Sequence, residues 1–78
     1  MRPWTPSGEM LALHAEHTRL QEACDELNMQ QARDYIAGHL ESARALANRL
    51  HELRNQRWRA RERLVAMFKR EALGDDRP

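Results

Sequence analysis

ARDYIAGHLESARALANRLHELRNQRWRARERLVAMF, residues 32–68, is the stretch that decides how this chain folds. Within it Ala32, Ile36, His39, Ala43, Leu46, Leu50, Leu53, Arg57, Ala60, Leu64 and Met67 keep a four-three stride. Such spacing stacks side chains in one column along an α-helix. Leu40, Ala47 and Phe68 form an adjoining column, which widens the stripe to a core-facing face. Gly38 falls inside the stride without shifting its phase, so the expectation is a tolerated glycine within one continuous helix. The alternative is a turn at Gly38 that leaves two nearly equal helices.

Upstream, Met10, Leu13, His17, Leu20, Cys24 and Leu27 form a second heptad stripe. Its phase then fails, because Gln31 and Asp34 hold the next in-register positions. Asn28–Met29–Gln30–Gln31 reads as an Asn-x-x-Gln capping box, in which the first side chain caps the new helix and the fourth reaches back. A tight turn is therefore expected at Asn28, between a first helix over about residues 9–27 and a second running to Leu73. Breakers agree, since Gly38 is the one Gly or Pro between Glu9 and Leu73 and the segment is rich in Ala, Leu, Glu and Arg. One Val and one Ile leave no material for alternating strands.

The fold class is thus all-α: an antiparallel helical hairpin with a long second helix, or a small three-helix bundle, with coiled-coil-like packing. At 1.5 Å per residue the first helix spans about 28 Å and the second about 67 Å. Less than half of the long helix would be covered. The apolar side chains of Leu64, Val65, Met67 and Phe68 then demand either a bend near Arg54–Arg57 that makes a third helix, or a second copy. A homo-oligomer is the expectation. Residues 1–8, interrupted by Pro3 and Pro6, read as an irregular arm with Thr5 or Ser7 as candidate caps. Residues 9–73 form the domain, and 74–78, opened by Gly74, a frayed tail.

The chain of 78 residues is one domain, and 41% hydrophobic content argues against general disorder. Cys24 is the sole cysteine, which excludes an internal disulfide and fits a reducing compartment. No apolar run nears the length of a membrane span, and the N-terminus has no signal-type core, so a cytoplasmic protein without membrane contact is expected. Twelve Arg against one Lys suggests a bacterial or phage source.

Chemistry is sparse. His14 and His17 stand three apart on a helix, but no further ligands converge on them, and neither Cys-x-x-Cys nor His-Glu-x-x-His occurs. Three scattered glycines build no phosphate loop. Adjacent carboxylates such as Asp25–Glu26 point apart on a helix, which suits no acid–base pair. No catalytic residue, cofactor or metal is expected, and the protein should act by binding.

Charge is more informative. Net charge is +1, but residues 1–41 carry −4 and residues 42–78 carry +5. Arg crowds the segment from Arg49 to Arg63 around Trp58, and Arg and Trp are the side chains that most often carry binding energy. Arg54, Arg57, Trp58 and Arg61, with Trp4 in the arm, are the candidate partner-binding residues. Trp4 has a competing assignment, folded back on the bundle. The expected function is a non-enzymatic protein-binding module, a small regulator, adaptor or inhibitor that occupies a partner's surface, with an acidic protein as the fitting partner. The alternative is a nucleic-acid-binding regulator using the Arg-rich helix 49–63.

Overall fold

The computed structural model of the protein describes residues 4–74. Two helices make up the fold, α1 (Gly8–Ile36) and α2 (Leu40–Ala72), and they pack antiparallel along their full length. Together they form a rod of 58 × 24 × 15 Å. Residues 1–3 of the arm and 75–78 of the tail lie outside the described residues.

The chain turns at Gly38, which corrects the expected turn at Asn28. α1 runs straight through the Asn-x-x-Gln segment and ends eight residues later. Gly38 takes a left-handed φ of 83°, open to glycine and strained for other residues. Around it, His39 N donates to Asp34 O at 2.8 Å and Gly38 N to Tyr35 O at 3.1 Å, the paired bonds of a Schellman motif. Such a stop satisfies the last carbonyls of α1 from within the backbone, and α2 then starts after His39 with no side-chain cap.

The polar residues that break the apolar pattern have a role at this tip. Gln31 Nε2 donates to Ala43 O at 3.4 Å, across the hairpin. Asp34 Oδ1 lies 4.0 Å from His39 Nδ1, an ion-pair distance when the imidazole is protonated. Both hold the in-phase seam positions and are half-buried, so the heptad of α1 continues in phase with polar members. Conversely, Ala32, Ile36 and His39 do not belong to the second stripe. They are exposed, Ile36 at 87%.

From Ala43 onward the stride holds. Ala43, Leu50, Ala60 and Met67 are buried, and Leu46, Leu53, Arg57 and Leu64 are half-buried. They meet Met10, Leu20 and Cys24, the buried members of α1, with Leu13, His17 and Leu27 half-buried between. Arg57 and His17 interrupt the apolar seam from opposite sides. Helices of 29 and 33 residues leave no long overhang. The expected bare run is therefore half covered: Met67 and Leu64 face α1, while Val65 and Phe68 point away. α2 is continuous past Arg54–Arg57, and the described residues contain no third helix.

At the open end, Ser7 caps α1 by accepting from Met10 N at 3.1 Å. The same hydroxyl donates to Glu71 Oε2 at 2.9 Å, tying the start of α1 to the end of α2. Gly74, at φ 64°, follows the last turn of α2.

Candidate interaction surface

Seven-residue periodicity sorts every side chain of the hairpin into the seam, the two flanks beside it, or the back. Tyr35 of α1 shares a hollow of about 230 Å³ with Leu40, Arg44 and Ala47 of α2, which places them on one flank. Ala23 and Gln30 share another with Arg49, which marks the opposite flank. The flanks differ in kind. Of the ten large apolar side chains left exposed among the described residues, seven fall on the first flank. Tyr35 and Leu40 lie toward the tip; Leu11, Trp58, Val65, Phe68 and Trp4 lie toward the open end. Opposite them the register sets Glu9, Glu16, Arg63 and Arg70, with Ala23, Gln30 and Gln56.

The five residues singled out from sequence are distributed unevenly. Trp58, 58% exposed, stands at the inner edge of the open-end apolar group, with the Arg61 guanidinium carbon 6.0 Å from its ring centroid. That spacing is at the outer limit of a cation–π contact. The two line a groove of about 440 Å³ with Glu62, Val65, Ala66 and Lys69. Arg54 is exposed on the same flank, two turns before Arg61. Arg57 is turned into the seam, half-buried, and is separated from that surface. Trp4 folds back: its ring meets Phe68 edge-on, centroids 5.2 Å apart and planes at 89°. It extends the apolar flank rather than standing free.

Val65, Phe68, Leu11, Tyr35 and Leu40 complete the surface and were not among the candidates. Their signal is the pair of heptad columns that adjoin the seam on one side. Those columns become one surface only when the turn is placed at Gly38, because a turn at Asn28 rotates residues 29–36 out of α1.

Among the described residues, no three His, Cys, Asp or Glu side chains are placed to hold a metal ion, and no helix is long and apolar enough to cross a membrane. Cys24 is buried in the seam. No family model matches the chain, and neither a curated protein nor a solved structure matches it.

Proposed function

We propose that this protein is a non-enzymatic protein-binding module that works by presenting the Trp58 flank to another folded surface. The observation that supports the reading is the sorting of exposed apolar side chains onto one flank. Isolated exposed residues are ordinary, whereas several large apolar side chains gathered on one flank and rimmed by charge are characteristic of interaction sites. Trp58 with Arg61 supplies the anchor, and Arg54 and Lys69 supply a basic rim that suits an acidic counter-surface. A small cytoplasmic regulator, adaptor or inhibitor of bacterial or phage origin fits this mode of action.

The test is affinity capture by wild type and by Trp58→Ala, with and without nuclease, followed by measurement of the salt dependence of each captured partner. Loss of a nuclease-resistant partner on Trp58→Ala supports the reading. Binding that vanishes with nuclease and falls steeply between low and moderate salt would assign the Arg-rich helix to nucleic acid instead, since phosphate contacts release counterions. Arg57 in the seam, and Arg49 and Arg63 on the opposite flank from Arg54 and Arg61, weigh against a single phosphate-facing stripe.

A further inference from the structure

We infer that the apolar flank is covered by a second copy of this chain, forming a four-helix bundle in which each α2 lies over the α1 of the other copy and both tips point the same way. The inference rests on the reading of this flank as a protein-binding surface and names its occupant.

Surface area calls for a partner of about this size. The chain exposes 6601 Å², whereas a compact monomer of 9.2 kDa exposes about 4,900 Å². Its radius of gyration is 17.3 Å, against about 11.5 Å for a compact domain of 78 residues. No described side chain is sealed completely from solvent. Two helices make one layer, and a stable domain needs two. The rod is 58 Å long and 24 Å across at its widest, room along one side for the about 800 Å² per partner of a standard interface.

Charge selects the second copy and its orientation. On this flank α1 offers the carboxylate of Asp25 and no Arg or Lys, and α2 offers Arg44, Arg54 and Arg61 and no carboxylate. A two-fold axis across the rod would stack α2 on α2 and α1 on α1, like on like. An axis along the rod instead sets the Arg column of each α2 over Asp25 of the other α1 and keeps the two Arg columns apart. It also sets apolar against apolar, tip on tip and open end on open end, and leaves the polar middle facing a polar middle.

Register makes the contacts specific. Gln31 is level with Ala43 and Ser7 with Glu71. A copy rotated about the long axis keeps these levels, so Val65 comes over Leu11 of the second copy and Arg54 within about one turn of its Asp25. All four are exposed on this flank. By two-fold symmetry each pair occurs twice.

The experiment is sedimentation equilibrium of the full chain over the micromolar range, with charge reversals at the paired positions. Wild type is expected to dimerise. Arg54→Asp alone and Asp25→Arg alone should each weaken the dimer about tenfold, because two attractive pairs become two repulsive ones. An equimolar mixture of the two variants should recover wild-type association, since every contact in the mixed dimer is again opposite in sign. Gln56→Asp, on the other flank, should change nothing. Both reversals are at exposed helix positions, and retained helicity by circular dichroism checks that they fold. A wild-type monomer at every concentration overturns the second copy and leaves the flank reading to the Trp58→Ala capture. A dimer indifferent to both reversals, or singles that the mixture does not rescue, overturns the geometry. Should a reversal unfold the chain, cysteine variants decide: in an equimolar mixture of Arg54→Cys and Asp25→Cys chains oxidation is expected to link the two variants to each other, and linking through Gln56→Cys instead overturns the flank.

Discussion

At its tip the hairpin is closed by backbone bonds, from His39 to Asp34 and from Gly38 to Tyr35, while at its open end it is closed by side chains, Ser7 to Glu71 and Trp4 to Phe68. The backbone closure depends on one residue's freedom at positive φ and is indifferent to most neighbouring side chains. The side-chain closure depends on four particular residues, each replaceable by ordinary mutation. The tip should therefore be the more robust end against side-chain truncation, and the open end the more robust against changes at glycine.

The largest effect tests whether the two ends are one cooperative unit. Leu50, 3% exposed, lies mid-seam between them. Leu50→Asp strands a carboxylate there, at a cost of several kcal/mol, comparable with the whole stability of a domain this small. Thermal unfolding by circular dichroism should show the helix lost as a whole. A tip that stays helical would mean the ends are independent.

Gly38→Ala should cost about 1–2 kcal/mol, the price of a left-handed backbone for a residue with Cβ. Nothing lies within 4 Å of the added atom, so the loss is conformational alone. A urea titration giving an unchanged midpoint would refute the assigned turn. Ser7→Ala removes an N-cap and should cost about 1 kcal/mol, with amide exchange rising first in the opening turn of α1. Trp4→Ala should cost about 0.5–1 kcal/mol, the worth of an edge-to-face aromatic pair, and should raise exposure of Phe68 without altering exchange at residues 31–43.

Much of α2 was legible in the sequence. From Ala43 to Met67 the four-three stride names the seam residue by residue, because each member is either apolar or, at Arg57, flanked by apolar neighbours one turn away. The region 28–39 was misread for a physical reason. Gln31 and Asp34 look like the end of an apolar stripe, yet they serve the tip through contacts that exist only once the hairpin has closed. The extension of the second stripe back through His39, Ile36 and Ala32 is a coincidence of spacing across a turn. Of the exposed apolar flank, Trp58 and its neighbour Arg61 stood out in the sequence by residue type. Arg57 was drawn into the seam by its heptad position, and the apolar flank was hidden because it is shared by two helices whose pairing depends on where the chain turns.

The single short turn also fixes an order of events. Bringing Gln31 to Ala43 closes a loop of 12 residues, whereas bringing Ser7 to Glu71 without prior structure closes one of 64. Loop-closure entropy makes the second about 1.5 kcal/mol harder as a first step. Once the tip has formed, each further level of the seam extends the ladder by a few residues and closes no large loop. Folding should therefore begin beside Gly38 and zip toward Ser7, so that during synthesis nothing is gained until α2 starts to emerge, and the Trp4–Phe68 contact forms last.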